Sequence, residues 1–199
     1  MKGSIEAGSS PALIILDMIS LFDFEGGSAL LGQARSIVPR IVRLKRRFRA
    51  AGRPVIYVND NFMDWRRDFN GLLATSAHPG AAGADIATAL WPEHDDYYIL
   101  KPKHSGFLCT ALPILLQSLQ VDHLVLCGVA ADSCVLMTAQ DAHMRNFRLS
   151  VPGDCVAAES RQRTERAVAL MAAAMQVDHR RSGLVAKALL GPGSRQPAR

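Results

Sequence analysis

Three side chains in this sequence would together supply a nucleophile, an acid/base group and a cation: Cys134, Asp17 and Lys101. Each follows or ends a short apolar run of the chain. Taken singly, such residues are most often a small core residue, a turn or cap residue and a surface residue, respectively. A shared position at one edge of a sheet favours a functional interpretation, so the hypothesis depends on the elements that place them.

The chemistry that these side chains suggest starts at Cys134, which is predicted to begin a helix over residues 134–144. Unpaired N–H groups and the positive end of a helix dipole lower the pKa of a thiol and stabilise an oxyanion. Asp17 can take the thiol proton and deliver it to a leaving amine, and Lys101 can keep that carboxylate ionised. This combination indicates acyl transfer from an amide or related C–N bond to the cysteine, followed by hydrolysis.

Short apolar runs alternate with helical patterns along the chain, which is typical of βαβ units. The predicted strands are residues 12–16, 55–58, 97–100, 123–127 and 147–151, and the predicted helices are 37–51, 110–119, 134–144 and 159–175. Residues 184–190 form either a short strand or a helix. The alternation predicts a mostly parallel sheet with helices on both faces, in which ligands bind beyond the carboxyl ends of the strands.

Residues 60–82 are predicted to form a long loop, and connections of that length in compact domains are usually functional or mobile. Polar and aromatic residues in this loop and near the strand ends are candidates for a substrate pocket, with loop packing as the alternative. The candidates are Phe22, Asn59, Asn61, Phe62, Trp65 and Phe107.

The composition is that of an ordinary soluble globular protein, with 49% apolar and 21% charged residues. The length of 199 residues suits one domain over 1–199, with a core of about 11–190 and a disordered tail at 191–199. The net charge of +5 comes partly from a basic run in the helix 37–51. Because the apolar Ile37, Ile41, Leu44 and Phe48 alternate with it, we interpret the run as a solvent-exposed face, and expect no nucleic-acid partner. The run comprises Arg40, Arg43, Lys45, Arg46, Arg47 and Arg49.

The four cysteines, at positions 109, 127, 134 and 155, form no CxxC pair and match no zinc spacing with histidine. We therefore expect no metal and no cofactor, and interpret Cys109 and Cys127 as packing residues. Free thiols are typical of a reducing cytoplasm. Neither a signal segment nor an apolar run near 18 residues is present, so we expect a cytoplasmic protein without a membrane partner.

Three motifs of the sequence resemble those of one enzyme family, the isochorismatase-like cysteine hydrolases. Residues 128–135, Gly-Val-Ala-Ala-Asp-Ser-Cys-Val, resemble its nucleophile motif, and residues 101–107, Lys-Pro-Lys-His-Ser-Gly-Phe, resemble its lysine motif. Residues 13–18 resemble its first-strand motif, with Asp17 near the end. The order and spacing of all three agree with the family, and the resemblance covers about residues 11–175.

The resemblance implies a triad of Cys134, Asp17 and Lys101 in a three-layer α/β/α, Rossmann-like fold with a six-stranded, mostly parallel sheet. It also implies a cis peptide between Val129 and Ala130. That bond would aim the backbone amides of Ala130 and Cys134 at an oxyanion. Members of the family commonly form dimers or tetramers, so the resemblance implies a homo-oligomer.

One departure from the family narrows the function. Its nicotinamidases carry an Asp-x-His as metal ligands, and here Asp60 fits the aspartate but Phe62 replaces the histidine. True isochorismatases lack the cysteine, so Cys134 argues against vinyl-ether hydrolysis. We expect a metal-free cysteine hydrolase acting on a small amide, carbamoyl or ureido compound. The alternatives are a nicotinamidase-like enzyme, a lactam or ester hydrolase, and a non-catalytic binding protein. Asp132 and Asp154 are interpreted as structural residues of turns.

Overall fold

A computed structural model of the chain describes residues 10–191, so the predicted tail lies outside the described residues except for Gly191. The strands in this part are β1 Pro11–Leu16, β2 Val55–Asp60, β3 Tyr97–Lys101, β4 His123–Val129, β5 Arg148–Ser150 and β6 Val156–Ala157. All pair in parallel, in the order β3-β2-β1-β4-β5. The sixth strand, β6, pairs with the last two residues of β4. The predicted six-stranded, mostly parallel sheet is confirmed.

Helices cover both faces of this sheet. They are α1 Gly27–Ala50, α2 Phe69–Ser76, α3 Ala84–Ala89, α4 Leu112–Ser118, α5 Leu136–Met144, α6 Arg161–Met175 and α7 Ser182–Leu190, and a π-helical turn, Ala131–Val135, leads into α5. The central strand β1 explains the layers, because its alternate side chains enter two separate cores. Leu13 and Ile15 pack with α1, α3 and α7, whereas Ile14 and Leu16 pack with α4, α5 and α6. The three-layer prediction is confirmed.

Two predicted segments differ from the structure. The first helix begins at Gly27 instead of residue 37. The reason is that Ala34 and Leu30, which lie about one and two turns before residue 37, extend the buried stripe of the helix toward its N-terminus. The predicted loop 60–82 contains α2, whose first turn is capped by Asp68: its carboxylate accepts a hydrogen bond from the Gly71 N–H at 2.7 Å. The ambiguous segment near the C-terminus is the helix α7. None of the helices in the described residues has the length and apolar character needed to cross a membrane.

One member of the basic run on α1 does not face solvent as predicted. Lys45 is 5% exposed, and its ammonium lies 2.9 Å from the Asp96 carboxylate and donates to the Trp91 carbonyl at 2.6 Å. Arg49 pairs with the same Asp96 at 2.7 Å. A buried ammonium needs such partners, so this cluster fastens α1 to the segment before β3. The prediction of exposure was therefore wrong for Lys45, whereas Arg40, Arg43, Arg46 and Arg47 are exposed.

Candidate active site

The strands β1, β3 and β4 end at one edge of the sheet, and a glycine brings two of them unusually close. Gly128 has a φ of +110°, and a Cβ atom on it would lie 2.1 Å from the carbonyl oxygen of Leu16. Only glycine tolerates both the positive φ and this close approach. The contact puts Asp17, the residue after β1, beside the turn that follows β4 and carries Cys134.

Lys101, the last residue of β3, connects the other predicted site residues. Its ammonium lies 2.9 Å from Asp17 Oδ2, 3.3 Å from Asp60 Oδ2 and 3.5 Å from Cys134 Sγ. Burial alone would lower the pKa of Lys101, but the negative charges of Asp17, Cys134 and Asp60 outweigh it and raise that pKa. The structure thus brings Cys134, Asp17 and Lys101 together around a permanently charged lysine.

The Cys134 thiol differs from the expectation of a lowered pKa. Burial and, after it, the neighbouring Asp17 carboxylate raise the pKa of the Cys134 thiol to about 12. Lys101 and the Ser133 hydroxyl oppose this shift without overcoming it. The residue also lies inside the π-helical turn and not at the first position of a helix. The expected lowering was therefore wrong: the resting thiol keeps its proton at neutral pH.

Asp17 is fixed between the backbone and the lysine. It is 8% exposed, its Oδ1 accepts a hydrogen bond from the Asp60 N–H at 2.7 Å, and its Oδ2 faces Lys101. Its φ of 51° is a left-handed conformation that aspartate adopts more readily than most residues. Asp17 is also close enough to influence the Cys134 thiol directly. A carboxylate in this position can accept the thiol proton.

Asp60 is a second carboxylate of the site that the sequence analysis considered only as a metal-type position. It ends β2, the strand between β1 and β3, so its side chain meets Lys101 across the sheet edge at 3.3 Å. Its other oxygen accepts from the Phe62 N–H at 2.7 Å and forms a tight turn there. The polar run directly after the apolar residues of β2 was the available signal for this role.

The turn that carries Cys134 has the cis peptide between Val129 and Ala130 that the family resemblance implies. The carbonyl of Ala130 accepts hydrogen bonds from the N–H groups of Ser133 and Val135, at 3.0 and 3.1 Å. These two backbone hydrogen bonds fix the conformation of the turn. The assignment of the Ala130 and Cys134 amides as oxyanion donors stays a prediction.

Asp132 and Asp154 make contacts that agree with the interpretation of both as structural residues. Asp132, within the nucleophile turn, accepts from Arg163 Nε of α6 at 2.5 Å. Asp154 accepts from the N–H and the hydroxyl of Ser182, at 2.8 and 3.0 Å, and so starts α7. The first of these contacts anchors the turn that bears Cys134 to a neighbouring helix.

His104 is a site residue that the sequence analysis missed. Its Nδ1 lies 3.5 Å from Ser133 Oγ and 3.8 Å from Cys134 Sγ, and the side chain is exposed. The signal was present, since His104 lies three residues after Lys101 in the lysine motif. Spacing alone could not show that the loop turns back over the thiol.

The residues predicted to line a pocket fall into two groups, and their roles as pocket residues stay predictions. Phe22, Asn59 and Phe107 are buried: the Asn59 amide donates to the Ile19 carbonyl at 2.9 Å, and Phe107 packs on Phe147. Asn61 is half-buried, whereas Phe62 and Trp65 are exposed. Cys109, predicted to be a packing residue, is also exposed, which corrects that interpretation.

The chain matches the family model described as the isochorismatase domain over residues 11–179. It belongs to the isochorismatase family. A Bacillus subtilis (strain 168) relative, the uncharacterized isochorismatase family protein YaaI, is 40% identical over 80% of this chain and 87% of its own length. The ureidoacrylate amidohydrolase RutB of Yersinia enterocolitica is 29% identical over 67% of this chain and 69% of its own.

Solved structures of isochorismatase-family proteins share this fold. An isochorismatase family protein from Desulfovibrio vulgaris superposes with a TM-score of 0.75, at 25% identity, over 92% of this chain and 99% of its own. The N-carbamoylsarcosine amidase of Thermoplasma acidophilum superposes with a TM-score of 0.65, at 29% identity, over 87% of this chain and 96% of its own. The chain is therefore an isochorismatase-family hydrolase, and its relatives include a ureidoacrylate amidohydrolase and an N-carbamoylsarcosine amidase.

The residues of this isochorismatase-family site do not fit a metal ion. Within residues 10–191, no three His, Cys, Asp or Glu side chains come close enough together to hold one. Asp60 is already paired with Lys101, and the exposed, apolar Phe62 follows it at the second position.

Proposed function

We propose that this isochorismatase-family hydrolase cleaves the C–N bond of a small amide, carbamoyl or ureido compound, with Cys134 as the nucleophile. The observation that carries the proposal is the buried contact of one ammonium with both the nucleophile and its base. Lys101 Nζ lies 3.5 Å from Cys134 Sγ and 2.9 Å from Asp17 Oδ2. Two similar proteins whose names are those of amidases, the RutB and N-carbamoylsarcosine amidase proteins compared above, support the choice of bond.

Acylation begins with the neutral thiol. As Cys134 Sγ attacks the carbonyl carbon, its proton passes to the Asp17 carboxylate, and Lys101 stabilises the sulfur as it becomes negative. The carbonyl oxygen then carries a negative charge, which the backbone amides of Ala130 and Cys134 would stabilise. Asp17 returns the proton to the nitrogen, the C–N bond breaks, and a thioester to Cys134 remains.

Deacylation uses the same groups in reverse. Asp17, now ionised again, takes a proton from a water molecule that attacks the thioester carbon. The C–S bond breaks, and the proton passes from Asp17 to the Cys134 sulfur. The carboxylate and the thiol return to their starting protonation states, so each turnover consumes only the substrate and one water.

The experiment is a panel of primary amides, carbamoyl amino acids and ureides, scored by ammonia release from the purified protein. We expect turnover of at least one class, and loss of about a thousandfold or more in Cys134→Ala and Asp17→Asn, since each removes a group with no substitute. Cys109→Ala, which removes an exposed thiol, is the matched control and should keep full activity.

Circular dichroism at 222 nm should be the same for all three variants and the wild type, which separates lost chemistry from lost folding. Wild-type ammonia release from Cys134→Ala on a verified substrate would overturn the proposal. So would a protein that hydrolyses no member of the panel yet binds one of them, because that outcome supports a binding protein with the same fold.

A further inference from the structure

His104 lies next to the Cys134 sulfur and, unlike Asp17 and Lys101, is exposed to solvent. Asp17 and Lys101 are 8% and 0% exposed, whereas the imidazole of His104 is exposed, with Nδ1 3.8 Å from Cys134 Sγ. The sulfur therefore lies close both to a buried acid/base group and cation and to a solvent-exposed imidazole. The proposed reaction uses the first pair and leaves His104 without a role.

Ser133 completes a short chain of polar atoms at this outer side. Its hydroxyl lies 3.5 Å from His104 Nδ1, and its hydrogen bond to the Cys134 sulfur favours the ionised thiol. His104 Nδ1 also lies within hydrogen-bond reach of the sulfur itself, at 3.8 Å, so the sulfur has two polar neighbours here. Hydrogen bonds to a charged acceptor are shorter and stronger than those to a neutral one, so both contacts gain strength as the sulfur becomes negative.

The loop that carries His104 is fixed to the nucleophile's own helix. The hydroxyl of Ser105 donates to the Asp141 carboxylate, and the N–H of Gly106 donates to Thr138 Oγ1 at 3.0 Å. Asp141 and Thr138 both belong to α5, which continues directly from the turn with Cys134. Arg145, the residue directly after α5, pairs with Asp141 at 2.7 Å. The position of His104 over the thiol is thus set by buried contacts and not by the exposed side chain itself.

From these contacts we propose that His104 is a further catalytic residue, which donates its Nδ1–H to the Cys134 sulfur directly, with the Ser133 hydroxyl as a second donor. It stabilises the negative charge that forms when the thiol proton passes to Asp17. No proton is consumed in this step, because the imidazole donates a hydrogen bond without transferring its hydrogen. The role rests on the proposed function of Cys134 as nucleophile, but its test needs no substrate.

The test is the alkylation rate of Cys134 by iodoacetamide at pH 8–9, followed by peptide mass spectrometry of the full-length protein. At these pH values the rate is proportional to the small ionised fraction of the thiol. One hydrogen bond changes that fraction about three- to tenfold, and the compensating change in nucleophilicity reduces the effect on rate. We expect His104→Ala to alkylate Cys134 about two- to fourfold more slowly than the wild type.

Three further variants make the result specific. His104→Asn keeps a donor near the Nδ1 position and should recover most of the wild-type rate. Ser133→Ala should slow alkylation similarly, and the double variant should be slower than either single variant, since each residue supplies its own hydrogen bond to the sulfur. Lys103→Ala, the matched control next to His104, should not change the rate, and the exposed Cys109 in the same digest serves as the internal reference.

Two outcomes of the alkylation experiment would overturn the proposal. If His104 only covers the thiol, His104→Ala opens access and Cys134 reacts faster, which overturns the proposal. An unchanged rate overturns it as well. Neither outcome bears on whether the protein hydrolyses amides, because ammonia release is measured separately. Conversely, slower alkylation in His104→Ala together with an inactive amide panel would support the hydrogen-bond role and reject the proposed reaction.

Discussion

Replacing Lys101 by methionine removes the cation that the two carboxylates of the site share. The side chain has no exposed surface, and its ammonium lies 2.9 Å from Asp17 and 3.3 Å from Asp60. At an effective dielectric constant of about 20, each of these contacts is worth about 5 kcal/mol before the cost of burying the charges. Removing one partner of a buried ion pair lowers the free energy of unfolding by about 3–5 kcal/mol, because the remaining charge stays buried and unpaired.

The variant can limit that cost by taking up a proton on one carboxyl group. Protonating an ordinary aspartate at pH 7 costs about 4 kcal/mol, so we expect Lys101→Met to lower the free energy of unfolding by about 3–4 kcal/mol at pH 7. The folded variant then binds one more proton than its unfolded chain. Its deficit relative to the wild type should therefore shrink as the pH falls from 7 to 5, by about 1.4 kcal/mol per pH unit.

Urea unfolding at pH 5, 6 and 7, followed by circular dichroism, measures this deficit. Lys45→Met is the matched control, because Lys45 is also a buried lysine, 5% exposed and 2.9 Å from Asp96, but lies outside the candidate site. Both variants should lose stability, and only Lys101→Met should also lose ammonia release. A Lys101→Met protein as stable as the wild type at pH 7, or a deficit that does not change with pH, would refute the ion-pair reasoning.

Two further predictions concern the sheet. Gly128→Ala should lower the urea midpoint far more than Gly52→Ala: both have positive φ, but a Cβ on Gly128 meets the Leu16 carbonyl at 2.1 Å, whereas one on Gly52 meets nothing within 4 Å. Equal midpoints would mean that β1 and β4 are not held this closely. Burial lowers the pKa of His123 to about 4, so the unfolded chain binds more protons between about pH 6.5 and 4. Stability should fall by about 3 kcal/mol as the pH drops through that window, and His123→Gln should lose this part of the pH dependence in urea unfolding. If the stability of His123→Gln and that of the wild type changed equally with pH, the result would contradict this prediction.

The sequence predicted the residues of the site better than their contacts. Asp17, Lys101 and Cys134 could be grouped because parallel strands end at one edge, a rule that needs only strand positions and direction. Asp60 obeys the same rule, but its contact with Lys101 depends on β2 lying between β1 and β3, which the strand pattern did not specify. His104 obeys no such rule.

The position of His104 depends on how a loop docks on a helix. The contacts that set it are those of Ser105 with Asp141 and of Gly106 with Thr138, between residues more than 30 positions apart in the chain. Nothing in the local pattern of either segment indicates that they meet. The start of α1 was different, because it could have been predicted from the local sequence: Leu30, Leu31, Ala34 and Ile37 already repeat at helical spacing before the basic run begins.

The raised pKa of Cys134 shows how the arrangement controls the charge on its nucleophile. Two carboxylates, Asp17 and Asp60, already surround the single cation of Lys101, so ionising the thiol to bulk water would add a third negative charge in a buried place. Passing the proton to Asp17 instead moves one negative charge from oxygen to sulfur and leaves the total unchanged. In the proposed reaction the thiol is therefore activated by its neighbour during attack and not by its resting ionisation. It follows that slow alkylation of Cys134 relative to the exposed Cys109 near neutral pH is compatible with its role as nucleophile, and that the informative comparison is between variants at the same sulfur.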